Sequence, residues 1–164
     1  MLSIQISDIK DFMSHLLSKD TFDHFYFIEA AIKMGVSYQI QGRINEGFYD
    51  TSVEQTLNRE FCYWKEIRHR IFDIIKGKRL PLSCKIVLGL SKQSISYLIA
   101  HNNSSFREED IEGIYVNILY DPKNLLITTG ISYKNFSLDK SLEYAFDEYL
   151  VKFLKKKQLY SIII

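Results

Sequence analysis

Residues 113–120 and 125–133 alternate apolar with polar side chains, and Asp121-Pro122-Lys123-Asn124 lies between them. A period of two marks a half-buried strand, and proline at the second position of a four-residue connection favours a type I turn. Such a turn pairs Tyr120 with Leu125. It then sets Ile118 opposite Ile127, Val116 opposite Thr129 and Ile114 opposite Ile131, with Asn117 facing Thr128 on the other side. Apolar parity survives the turn, and a slip of one residue would turn every side chain to the wrong face. The pattern predicts an antiparallel hairpin with one oily and one mixed, hydrophilic surface.

A second hairpin follows from the same reasoning. Tyr26, Ile28, Ala30, Ile32 and Met34 form one parity of the run 25–34, and Tyr38, Ile40, Gly42 and Ile44 form one parity of 37–44. Gly35 lies between the runs. Facing residues share a face if Ile32 sits opposite Tyr38 and Glu29 opposite Gln41. Leu2, Ile4 and Ile6 read as a short strand, as do Cys84, Ile86, Leu88 and Leu90.

Helical periods fill the intervals. Ser7 is the expected cap of a helix buried through Ile9, Phe12, Met13, Leu16 and Leu17. Ser52 and Gln55 match a capping box, which predicts a long helix to about Lys76 with Leu57, Phe61, Trp64, Ile67, Ile71, Ile74 and Ile75 as its apolar stripe. Gly77 and Pro81 end it. Ser91 starts a short helix, and a last helix covers about 139–157. The tail 160–164 adds an edge strand or packs on the core. The sum is an α+β chain, residues 1–164 as a single domain, with an antiparallel sheet of about six strands and about four helices.

Composition narrows the function classes. A chain of 164 residues with 46% apolar and 25% charged residues can bury a core without staples. Its formal net charge of +1 gives no long-range field, so anion binding would need a local patch. The first residues, Met-Leu-Ser-Ile-Gln-Ile-Ser-Asp, lack the basic start and apolar run of a secretory signal, and no segment has the roughly 20 apolar residues of a membrane helix. A cytoplasmic protein without a membrane partner is expected. Cys62 and Cys84 lie among apolar neighbours and form no metal-type cluster.

Several short motifs are spread along the chain: Thr21-Phe22-Asp23, Glu29-Ala30, Gly42-Arg43, Tyr63-Trp64, Lys76-Gly77-Lys78-Arg79-Leu80-Pro81-Leu82, Thr128-Thr129-Gly130 and Leu138-Asp139-Lys140-Ser141-Leu142-Glu143. On these the chain resembles an uncharacterised bacterial family described only as a domain of unknown function. The resemblance covers most of the chain and implies no activity. The family carries an acid where this chain has Gln41, which counts against a catalytic acid at that point.

Three features are candidates for contact. The end of the long helix is basic, with Lys65, Arg68, Arg70, Lys76, Lys78 and Arg79 outnumbering Glu66 and Asp73. It suits a phosphate or nucleic acid, although cations are favoured at any helix C-terminus. The non-core sheet face should display Phe25, Phe27, Glu29, Lys33, Gln39, Gln41, Arg43, Lys85, Tyr115, Asn117 and Thr128. Aromatics among cations and amides suit a nucleic acid or peptide, unless a helix covers them. Glu29 beside Arg43 suggests a substrate-orienting pair or an ordinary surface ion pair.

No catalytic motif is visible. His15, His24, His69 and His101 fall on different elements, no glycine-rich phosphate loop or nucleophile elbow occurs, and nothing points to a cofactor. Two readings follow. The chain is a non-enzymatic binding module for a protein or nucleic acid, or it is an enzyme or small-ligand binder with a pocket between sheet and helices. The second would gather Glu29, Arg43, Trp64, Arg68, Asn117 and Thr128.

Overall fold

The computed structural model describes residues 1–49, 58–159 and 161–164. In chain order the strands are β1 (Ser3–Ile6), β2 (Tyr26–Lys33), β3 (Ser37–Gln41), β4 (Ser83–Gly89), β5 (Ile111–Tyr120), β6 (Leu125–Tyr133) and β7 (Ser161–Ile163). The helices among the described residues are α1 (Ile9–Leu17), α2 (Trp64–Ile75), α3 (Lys92–His101) and α4 (Ser141–Lys156), with 3-10 turns at Glu46–Phe48 and Glu108–Asp110. One seven-stranded sheet has the order β3-β2-β4-β5-β6-β1-β7. Every pairing is antiparallel, so the chain is α+β with one strand more than expected.

Both hairpins have the predicted registers. Tyr120 pairs with Leu125, Asn117 with Thr128 and Ile114 with Ile131. Glu29 pairs with Gln41 and Ile32 with Tyr38. The Asp121 carboxylate fixes its turn by accepting from the Lys123 and Asn124 amides at 2.8 and 2.9 Å. The tail forms β7, which pairs with β1 at the edge of the sheet.

The four described helices cover one face of the sheet. Phe12 and Leu16 of α1, Trp64 and Ile71 of α2, Leu98 of α3, and Leu142, Phe146, Leu150 and Leu154 of α4 join one core. They meet Ile4, Ala30, Ile32, Ile86, Leu88, Ile114, Val116, Ile118 and Ile127 from the strands. Burying this apolar surface, at about 25 cal/mol per Å², is the main stabilising term.

Three expectations are corrected. First, Asp8 rather than Ser7 caps α1, its carboxylate accepting from the Asp11 amide at 3.0 Å. Second, α2 starts at Trp64, about one turn after Phe61. Phe61 carries the helical period, but the backbone at Phe61 and Tyr63 is extended and bridges Arg43 and Tyr26. Phe27 donates to the Cys62 carbonyl at 2.8 Å, Cys62 to Gly42 at 2.9 Å, and Trp64 to Phe25 at 2.8 Å. These sheet-like bonds satisfy backbone groups that a helix would have used internally. The Ser52 and Gln55 capping box lies outside the described residues.

Third, Phe25 and Phe27 do not lie on the hydrophilic face. The register of β2 against β4 shifts between Phe27 and Glu29, leaving Ile28 as the extra residue of a β-bulge. Side-chain parity inverts there. Phe27 pairs with Leu88 in the core and packs on Trp64, ring centres 5.7 Å apart, while Phe25 packs between Phe22 and Phe153. Ile28 moves the other way: its Cδ1 lies 3.0 Å from where a Cβ on Gly89 would stand, on the side away from the helices.

Two glycines have a backbone reason. A Cβ on Gly42 would stand 1.8 Å from the Phe27 carbonyl oxygen, so the chain just beyond β3 can lie this close to β2 only at a residue without one. Gly77 follows the last turn of α2 at φ +147°, a conformation open chiefly to glycine.

Candidate binding face and clefts

Register alone places the residues of the face that no described helix covers, called the helix-free face below. Gln41, Glu29, Val87, Asn117, Thr128 and Ser3 form one row across β3, β2, β4, β5, β6 and β1. Beside it run Gln39, Ala31, Lys85, Leu119, Leu126, Gln5 and Ile162. With strands about 4.8 Å apart, the first row is roughly 24 Å long. Glu29, Lys33, Gln39, Gln41, Lys85 and Leu119 are exposed, and Asn117, Leu126 and Thr128 are half-buried. Asn117 Nδ2 donates to Thr128 Oγ1 at 3.3 Å, which orients the centre of the row.

One end of this face is closed by aromatic and charged side chains. Arg43 pairs with Glu60 and lies over the Phe61 ring, 5.2 Å from its centre. Glu60 is therefore its partner, not Glu29 as expected. Arg59 grips Glu66 through both guanidinium nitrogens and lies 4.6 Å from the centre of the Tyr63 ring. Glu66 also accepts from the Tyr63 amide at 2.6 Å, closing the start of α2. The Arg59 guanidinium, with that amide, holds the Glu66 carboxyl below the usual glutamate range. Tyr115 lies nearby, its phenol pushed up by burial and by the Glu112 carboxylate.

The other sequence candidates scatter. Trp64 is fully buried and its Nε1 donates to the Leu16 carbonyl at 2.7 Å, so it ties α2 to α1. Arg68 binds Asp23 through two bonds of 2.8 and 3.1 Å. Lys76 pairs with Asp73 at 2.9 Å, whereas Lys78 and Arg79 are exposed in the turn beyond. Lys65 lies 5.5 Å from the Tyr63 ring. The basic helix end is thus partly neutralised and partly turned inward.

Of the six residues expected to share a pocket, only Arg43 borders any of the clefts described here. It lines an open cleft of about 550 Å³ with Asn45, Tyr49, Arg59 and Glu60. A separate cleft lies between α3 and α4, with two lobes of about 260 and 230 Å³ that share Leu90, Ser94 and Tyr149. Sequence reasoning passed over it because its residues come from the loop after α1 and from two helices, with no common spacing.

Thr129 was also missed as an anchor. It is 3% exposed on the helix side; its hydroxyl donates to Asp147 at 2.6 Å and accepts from the Leu2 amide at 2.8 Å. A polar residue at a core position of the alternating run was the available signal. Among the histidines, His15 Nδ1 lies 2.7 Å from Thr21 Oγ1 and His101 stacks on Tyr97. Cys62 and Cys84 are both unpaired. No described helix is long and apolar enough to cross a membrane.

Together these features define an α+β protein with one antiparallel sheet, helices on one side of it and a mixed polar face on the other. A family model matches residues 15–161, and the chain belongs to that family, the family of unknown function DUF5721. No curated protein and no solved structure matches the chain.

Proposed function

We propose that this chain, as a single domain, is a non-enzymatic binding module that holds a protein partner on the helix-free sheet face. The observation that carries this reading is the pair of register rows. Ala31, Val87, Leu119 and Leu126 are interspersed there with Glu29, Lys85, Asn117 and Thr128, and Gln39, Gln41 and Gln5 stand toward the ends of the rows. Aliphatic side chains mixed with polar and charged ones over such an area are the composition of a non-obligate protein–protein contact. Glu29, Lys85, Asn117 and Thr128 are the proposed contact residues.

The loss of Phe25 and Phe27 to the core removes the base-stacking motive for a nucleic acid. The remaining charges on the rows nearly balance, whereas a phosphate backbone calls for clustered cations. Two unpaired cysteines, one buried, fit a reducing compartment such as the cytoplasm.

A photo-crosslinking residue at position 119 and another at position 152, on the outer side of α4, test the proposal. Capture of one protein from position 119 alone is expected. Binding of that purified protein should weaken more than tenfold with Lys85→Glu or Asn117→Arg and stay unchanged with Lys152→Glu. Equal capture at both positions, or indifference to the sheet substitutions, refutes the proposal. Salt-sensitive binding of a labelled oligonucleotide in a low-salt anisotropy titration would replace it with the nucleic-acid reading.

A further inference from the structure

The cleft between α3 and α4 divides its chemistry unequally. The lobe toward α3 is walled by Tyr97 and Tyr149 over Leu90 and Leu98, with Gln93 and Ser94 as its polar groups. It holds no charged side chain. The other lobe has a Phe25 and Phe153 floor and carries Asp20, His24 and Lys157. All the formal charge of the cleft therefore sits at one end, as one carboxylate and one ammonium beside an imidazole. Neither Asp20 nor Lys157 takes part in an ion pair found among the described residues.

We propose that this cleft binds a small aromatic zwitterion, of the aromatic α-amino acid class, with its ring between Tyr97 and Tyr149 and its charged end between Asp20 and Lys157. The ring belongs in the tyrosine lobe because that lobe has aromatic and apolar lining and no charged lining side chain to desolvate. The ammonium belongs to Asp20 and the carboxylate to Lys157, so both protein charges gain a partner. A ligand with only one charge would leave one of them facing a like charge or nothing. The Ser94 hydroxyl, at the waist, accepts from the Ser91 hydroxyl at 3.0 Å and so keeps its own proton free to donate. The two lobes, of about 260 and 230 Å³, share Leu90, Ser94 and Tyr149, and a ligand spanning both would occupy a volume in the range of small-ligand sites, on the order of 300–1,000 Å³. The site lies on the helix side of the sheet and does not depend on the protein-binding face.

Calorimetric titration of the full chain with L-tryptophan, tryptamine and indole-3-acetate tests the assignment. L-Tryptophan should bind about tenfold more tightly than either singly charged analogue, the size of effect one well-placed charge supplies. Asp20→Asn should erase its advantage over indole-3-acetate, and Lys157→Met its advantage over tryptamine. Ser94→Phe, which fills the waist, should abolish binding. If that variant is unstable, amide shift changes in the wild-type chain on adding L-tryptophan should centre on Leu90, Ser94 and Tyr149. Equal affinities for the three probes, no binding at millimolar concentration, or shift changes centred elsewhere would overturn the proposal.

Discussion

Replacing Thr129 by valine keeps the shape of a buried side chain and deletes only its hydroxyl. That hydroxyl joins three elements: β6, which carries it; α4, through Asp147 at 2.6 Å; and the start of β1, through the Leu2 amide at 2.8 Å. A hydrogen bond to a charged group contributes about 1.5–3 kcal/mol and a neutral one about 1 kcal/mol. Water can reach the half-buried Asp147 and Leu2 and recover part of this. The net loss should be about 2–3 kcal/mol. In urea, with a slope of about 2 kcal/mol/M, the midpoint should fall by about 1–1.5 M with the slope unchanged. Thr129→Ser keeps the hydroxyl and loses a methyl, so it should cost only about 1 kcal/mol. A double-mutant cycle with Asp147→Ala should give a coupling of at least about 1 kcal/mol. A Thr129→Val midpoint within about 0.2 M of wild type, or strict additivity with Asp147→Ala, would refute the clip.

Three shorter predictions test other joints of the fold. Gly42→Ala drives a Cβ into the Phe27 carbonyl and should destabilise by about 3 kcal/mol or more, whereas Gly130→Ala meets nothing within 4 Å and should be neutral or slightly stabilising; denaturant midpoints compare the two. The folded Glu66 carboxyl ionises below the usual glutamate value of about 4.3, so its stabilising effect is full above that pH and is lost as pH falls through the folded value. Stability measured from pH 7 to 3 should therefore fall less steeply in Glu66→Gln, and an unchanged profile would refute the Arg59 grip. Burial pushes the Cys84 thiol up to about 12 and raises Cys62 as well, so the native chain at pH 8 should react with a thiol reagent far more slowly than the urea-unfolded chain. Rapid labelling of both thiols in the native chain would contradict this.

The parts of the fold that could be read from the sequence are those whose information is local. The hairpin of β5 and β6 is specified by alternation on both sides of a turn whose residues set its length, and its register came out residue for residue. The failures share one cause. At Ile28 a single extra residue inverts the parity of β2, and nothing in the run Phe25–Tyr26–Phe27–Ile28 distinguishes the two inner sets, because all four are large and apolar. Residues 58–63 failed for the complementary reason. Phe61 fits a helical stripe, but its backbone partners lie around Gly42 and Phe27, far away in sequence. Candidate residues followed the same division. The facing of Asn117 and Thr128 was legible through strand parity, whereas the Glu60 partner of Arg43 depends on where the extended segment crosses the sheet.

The bulge and the extended segment also explain why the sheet is one-sided. Before Ile28, β2 gives Phe27 to the core; after it, Ala30 and Ile32 take that role, and Glu29 is released into the row with Val87 and Asn117. Without the inversion, with the register of Glu29 against Val87 continued, Phe27 would stand opposite Gly89 on the same face as Glu29, and the core would lose the ring that packs on Trp64. Gly42 makes the inversion possible by admitting the Phe27 carbonyl, and Cys62 completes it by accepting the Phe27 amide. The segment that made helix α2 shorter than its period suggested is therefore the same one that keeps Phe27 off the helix-free face. A large exposed aromatic surface would otherwise invite nonspecific association. The composition of that face is what this local geometry secures.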